Sequence, residues 1–181
     1  MKHVDVWHDI VERNIQLALI LEDDVIFVPF FKEKLIRMMY AAFNSNALEI
    51  NERCVKAKWR SISNDEWTHQ NPMIVIGTCL NLHGQHFQSH LWNASPILTT
   101  HKAHASRCSH AYILTLCSAK SLIEQIQQQK NAFLPIDHMQ NYLFRLSPTL
   151  QSFWIDPPLV YQGNQVVDLD QLNTFAKRTY K

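Results

Sequence analysis

Leu17-Ala18-Leu19-Ile20-Leu21-Glu22-Asp23-Asp24 is a run of five apolar residues stopped by three acids. An apolar run that is continuous, not alternating, reads as a strand buried on both faces, the kind found in parallel sheets covered by helices. Three adjacent carboxylates repel one another, so their place directly after such a strand asks for a reason. In open α/β sheets ligands bind at the carboxyl ends of strands. A carboxylate cluster there suits a hard divalent cation, which prefers oxygen ligands and combines one or two carboxylates with substrate phosphates. The bland alternative is a solvated acidic turn leading into the next helix, whose N-terminus favours negative charge. Spacing alone weighs the two equally.

Working outward, Val4, Trp7, Ile10, Val11 and Ile15 recur at helical spacing and predict a helix over 4–16. Val25 to Val28 leaves the acidic turn, and residues 30–43 read as a second amphipathic helix. Residues 72–77 (Pro72 to Gly77) form a second buried-strand candidate, 81–107 a long polar loop, and Ala111 to Thr115 a third strand. Ser118 is the expected N-cap of a helix over 119–130. Pro135-Ile136-Asp137-His138 opens another helix, where proline costs no hydrogen bond. Trp154 to Gln162 reads as extended. Strands alternating with helices predict an α/β fold, a mostly parallel sheet with helices on both faces, in one domain over 1–181.

The 181 residues carry a net charge of +1, so no electrostatic argument favours nucleic acid as a partner. With 3 glycines and neither glycine-rich phosphate motif, the dinucleotide and P-loop classes are excluded. No stretch is long enough for a transmembrane segment, and the first residues lack the apolar core of a signal peptide. Cys54, Cys79, Cys108 and Cys117 form no C-x-x-C pair; scattered buried thiols are expected, with a single disulfide also compatible. His83, His86 and His90, with His101 and His104, offer nitrogens for zinc only if that stretch is helical, which Gly84 disfavours. Asn93-Ala94-Ser95 is a glycosylation sequon. Trp59, Trp67, Trp92 and Trp154 read as core or rim aromatics, with Trp154 the best candidate for stacking on a sugar.

Leu19-Ile20-Leu21-Glu22-Asp23-Asp24-Val25 resembles the acidic motif of glycosyltransferase family 25, which contains the lipooligosaccharide and procollagen galactosyltransferases. Gly77-Thr78-Cys79, Cys108-Ser109-His110-Ala111-Tyr112-Ile113-Leu114-Thr115 with the helix after it, Pro135-Ile136-Asp137-His138 and Pro157-Pro158-Leu159-Val160-Tyr161-Gln162 agree in the same order, over roughly residues 7–163. The resemblance implies a GT-A-like, Rossmann-related fold, a UDP-sugar donor, a glycan or protein acceptor, a divalent metal (commonly Mn²⁺) and inversion at the anomeric carbon. Asp24 would be the leading direct metal ligand with Glu22 as a second metal residue, Glu22 and Asp23 would touch the ribose or metal-bound water, and Asp137 would be the base for the acceptor hydroxyl. His110 and Gln162 match motif positions for substrate contacts.

The family pattern has an α/β half before the acidic strand, so the resemblance implies a sheet lacking its first N-terminal strands. Two functions follow: a metal-dependent inverting glycosyltransferase, or a non-catalytic relic or incomplete gene product acting as a binding module. The family has cytoplasmic and endoplasmic-reticulum or Golgi members, so the compartment stays open.

Overall fold

The structure is a computed structural model that describes residues 2–44, 71–77, 96–100, 108–129, 134–147 and 150–163. The elements in chain order are α1 (Lys2–Glu12), β1 (Leu17–Leu21), β2 (Val25–Phe27), α2 (Phe31–Asn44), β3 (Asn71–Gly77), β4 (Ile97–Thr100), β5 (Ala111–Thr115), α3 (Leu116–Gln128), α4 (Ile136–Leu146), β6 (Leu150–Asp156) and β7 (Val160–Gln162). Five strands form one sheet in the order β1-β5-β3-β6-β4, and β2 pairs with β7 in a separate two-stranded ribbon.

The mixed α/β architecture agrees with the sequence, but the expectation of a mostly parallel sheet is corrected. Among the described residues only β3 and β6 pair in parallel; β1–β5, β3–β5 and β4–β6 pair antiparallel. The physical reason is that an apolar run reports burial and not the direction of the neighbouring strands. Even burial on both faces fails for β1, an edge strand in which Ile20 is buried but Leu19 and Leu21 are exposed, which corrects the reading of Leu17–Leu21. Every residue of β5 is buried although both its neighbours oppose it. Residues pointing one way (Met73, Val75, Tyr112, Leu114, Leu150 and Trp154) pack with α1, α3 and α4. Their neighbours pointing the other way (Ile74, Ile76, Ala111, Ile113, Phe153 and Ile155) pack under α2 and the ribbon. Helices therefore do cover both faces. At about 1.5–3 kcal/mol for each fully buried large apolar side chain, these two layers outweigh any local preference in the connections.

Local corrections have local causes. α1 ends at Glu12 because Asn14 takes a left-handed conformation (φ 55). The amides of Asn14 and Ile15 then bond back to the carbonyls of Val11 and Ile10 and close the helix in a Schellman turn. The α3 cap is Thr115, not Ser118: its hydroxyl accepts the Ser118 amide at 3.1 Å and meets the Ser118 hydroxyl at 2.8 Å. Inside the stretch read as a loop over 81–107, residues Ile97–Thr100 pair with β6 as an edge strand. Cys108 and Cys117 are both disulfide-bonded, which corrects the expectation of scattered thiols. Spacing along the chain carries no information about which sulfurs meet in the fold.

Candidate functional site

β1, β3 and β6 all point the same way, because β1 and β3 both oppose β5 and β6 is parallel to β3. Their carboxyl ends therefore share one rim of the sheet with the beginning of β5. Leu21 and Gly77 both register with Ala111, and the amide of Glu22 extends the ladder by donating to the carbonyl of His110 at 2.8 Å. The topology thus gathers the acidic turn, Gly77 and Ser109-His110 at one place. Gln162 joins them from the ribbon, opposite Val25, and the next amide, of Gly163, donates to the Asp24 carbonyl at 2.7 Å.

The three acids have different surroundings. Glu22 is half-buried, and its Oε1 receives His3 Nε2 at 3.3 Å and the Ser109 hydroxyl at 3.4 Å. Asp23 is exposed at the tip of the turn. Asp24 is half-buried, and its Oδ1 is shut off from solvent with no hydrogen-bond partner. A buried carboxylate oxygen without a donor costs on the order of 1–3 kcal/mol or more. Native structures seldom leave one unless a ligand, ion or water belongs there.

His110 lies against the same turn. Its Nε2 reaches the Val160 carbonyl at 3.2 Å, which makes Nε2 the donor and leaves the buried Nδ1 an unpartnered acceptor. Burial pushes the imidazole below its usual pKa, while the Val160 carbonyl and the charges of Glu22 and Asp24 pull it back upward. Two glycines make the packing possible. A Cβ on Gly77 would stand 2.3 Å from His110 Nε2, and one on Gly163 would stand 2.7 Å from the Asp24 carbonyl oxygen. Beneath them Tyr161, buried beside Asp156, has its phenol pushed up to about 12 and stays neutral.

Asp137 stands in the first turn of α4, half-buried, with Oδ1 accepting the His138 amide at 2.8 Å. α4 ends just before β6 begins at the far side of the sheet, so its first turn lies at the rim end. Gln140, one turn on, lies against the Tyr112 hydroxyl. Asp137 makes no contact with the acidic turn among the described residues; it shares the rim and not the cluster. Trp154 is 3% exposed within the core, which agrees with its reading as a core aromatic and removes it as a candidate for stacking on a sugar. Cys54, Cys79, Trp59, Trp67, Trp92, the histidines from His83 to His104 and the sequon at Asn93 lie outside the described residues. Sequence reading missed Ser109, and it missed His3 and Tyr112 as partners of the acidic turn. The one visible signal was Tyr112, a hydroxyl-bearing ring inside an otherwise apolar strand.

Among the described residues, no three His, Cys, Asp or Glu side chains form a ready-made metal cage. The donor chemistry fits a cation held chiefly by a ligand's phosphates, with Asp24 Oδ1 as the protein's oxygen. Glu22 fits less well as a direct ligand, because its Oε1 already has two partners. A groove against α2, lined by Phe30, Lys34, Arg37, Met38 and Pro96 among others, contains none of these three acids. No helix among the described residues is long and apolar enough to cross a membrane.

Comparison with known proteins adds two findings. The family model described as glycosyltransferase family 25 (LPS biosynthesis protein) matches residues 1–140, which take in the acidic turn, His110 and Asp137. Procollagen galactosyltransferase 1 of Danio rerio is 41% identical over 39 residues. That stretch is 22% of this chain and 6% of the relative, so the match spans a small part of the relative's length.

Proposed function

The chain belongs to glycosyltransferase family 25, and on that premise we propose that it moves a sugar from a UDP-sugar to a hydroxyl of a glycan or protein acceptor, with a divalent metal and inversion at the anomeric carbon. Galactose is the proposed sugar, by similarity to the procollagen galactosyltransferase relative. The observation that carries the reading is Asp24 Oδ1, a buried acceptor without a partner at the carboxyl ends of three co-directional strands. That placement is where α/β sheets bind ligands, and it favours a GT-A-like arrangement for the donor.

In this proposal Asp24 holds the cation, Mn²⁺ by preference, and Asp23 with the free side of Glu22 accepts hydrogen bonds from the nucleotide ribose. The cation, when bound, neutralises charge building on the departing diphosphate. Asp137 takes the acceptor's hydroxyl proton on its second carboxylate oxygen, since Oδ1 is occupied by the His138 amide. As that proton leaves, the acceptor oxygen bonds to the anomeric carbon and the bond to the diphosphate breaks on the opposite face. A positioned base of this kind contributes about 10²–10⁴-fold. Inversion needs one such group, where a glycosidase needs two carboxylates. His110 Nδ1 and Gln162 are proposed to accept and exchange hydrogen bonds with the donor.

The test is a melting curve with UDP and Mn²⁺. The unmodified chain should melt at higher temperature with both ligands, and Asp24→Ala should lose the rise. With UDP-galactose and an acceptor, proton NMR of the first product should show the inverted anomer. No rise in melting temperature at millimolar ligand would remove the reading and leave a binding module.

A further inference from the structure

Glu22, His3, Tyr112 and Trp7 form a chain of side-chain hydrogen bonds running from the rim into the core. His3 Nε2 meets Glu22 Oε1 at 3.3 Å, His3 Nδ1 meets the Tyr112 hydroxyl at 2.9 Å, and Trp7 Nε1 meets the same hydroxyl at 2.9 Å. The His3 and Tyr112 rings stack with centroids 5.8 Å apart. Trp7 and Tyr112 are fully buried, while side-chain exposure is 14% for His3 and 28% for Glu22. The chain therefore meets solvent at Glu22 and, to a lesser degree, at His3, and is closed at Tyr112 and Trp7.

Each end has one possible role. An ionised carboxylate only accepts, so His3 Nε2 must carry the proton. In a neutral imidazole Nδ1 then accepts, so the Tyr112 hydroxyl must point its hydrogen at His3. An indole N–H only donates, so Trp7 fills a lone pair of the same hydroxyl oxygen. The carboxylate at the rim forces this direction, and the Trp7 donor in the core is compatible with it. Reversing it would face His3 Nε2 as a lone pair against the Glu22 carboxylate. Burial holds the Tyr112 phenol far above its usual pKa, which keeps its hydrogen in place.

We propose that Glu22 and the Tyr112 hydroxyl, itself seated by Trp7, together hold His3 in its Nε2–H tautomer, and that His3 so held is a positioning residue that fixes Glu22 Oε1 and presents the other carboxylate oxygen to the ligand at the rim. His3 and Tyr112 come from elements 109 residues apart in sequence, so the carboxylate is aimed by the packing of α1 on β5 and not by the acidic turn itself. The tautomer is a property of the fold; its effect on donor binding rests on the function proposed above.

The experiment is nitrogen-15 NMR of the full chain at mildly alkaline pH, where imidazole is neutral, alongside UDP titration with Mn²⁺. In the unmodified chain His3 should show a protonated Nε2 and a bare Nδ1. Tyr112→Phe, which keeps the ring and deletes the hydroxyl, should mix the two tautomers and weaken UDP binding by up to about tenfold, the range of one hydrogen bond. A protonated Nδ1 in the unmodified chain overturns the proposal, as does unchanged UDP affinity in Tyr112→Phe. Should that variant not fold, the tautomer of the unmodified chain decides alone. A locked Nε2–H tautomer in a chain that binds no UDP would uphold the lock and remove the glycosyltransferase reading.

Discussion

The two ends of the sheet are built from similar residue types and treat their polar groups in opposite ways. At the end where β1 begins and β5 stops, the groups that shape the chain reversals have partners. Thr115 caps α3, the Leu116 amide donates to the Gln16 carbonyl, and the Asn14 turn closes α1 on its own carbonyls. At the other end Asp24 Oδ1 and His110 Nδ1 are buried without donors. Equal attention to hydrogen bonding at both ends would be the expectation if stability were the only requirement, since each orphaned acceptor costs free energy. The contrast marks the second end as the one shaped for something that arrives from outside.

The sharpest way to break this comparison is Asp24→Ala. A ligand present at a hundred times its Kd stabilises by about 2.7 kcal/mol, and the variant should lose all of that. Calorimetry of the unliganded variant should show a melting temperature equal to or above that of the unmodified chain, because a penalised acceptor has gone. A marked drop without ligand would mean that Asp24 has a structural partner. Next in size is Gly77→Ala. Its methyl group would enter the space of the His110 ring, and overpacking of this kind costs roughly 1–3 kcal/mol. At this chain length that is about 2–4 °C for each kcal/mol, and UDP affinity should fall with it.

Thr115→Ala acts at the opposite end and should cost about 1 kcal/mol, the usual worth of an N-cap, while leaving UDP affinity untouched. Parallel denaturation and binding curves check both halves of that statement. The smallest effect concerns pH. His110 has its folded pKa lowered by burial, so the unfolded chain binds more protons between that value and the ordinary one near 6.5. Its contribution is therefore complete above about pH 6.5 and is lost as pH falls through that value toward the folded pKa. The slope should be shallow because the Val160 carbonyl and two carboxylates offset part of the burial effect. His110→Asn should flatten it, as read from melting temperature against pH.

Much of this was legible in the chain itself. The strands at Leu17–Leu21 and Ala111–Thr115 and the acids after the first stand where their composition puts them, although only the second strand is buried throughout. The acidic turn and the His110 block also sufficed for the family resemblance, which the match over residues 1–140 bears out. The misread features share a cause. Strand direction, the exposure of Leu19 and Leu21 on β1, and the disulfide bonding of Cys108 and Cys117 all depend on which distant segments meet. Ser118 lost the cap to Thr115 because the helix began one turn earlier, directly off the strand, and the first available hydroxyl took the role.

The sequence by itself determined that Glu22, Asp23 and Asp24 would stand at the end of an apolar strand, since strand patterning and carboxylate hydration place those residues without reference to anything far away. Only the tertiary structure decided how those acids differ. The pairing of β1 with β5 and the packing of α1 across them put His3 and Ser109 on Glu22, while Gly163 and the ribbon closed over Asp24 and brought no donor to its Oδ1. Three neighbours in the chain became a fixed carboxylate, an exposed one and a buried one awaiting a partner. Solvation and hydrogen bonding depend on what surrounds a group in space, and adjacency along the backbone does not specify that.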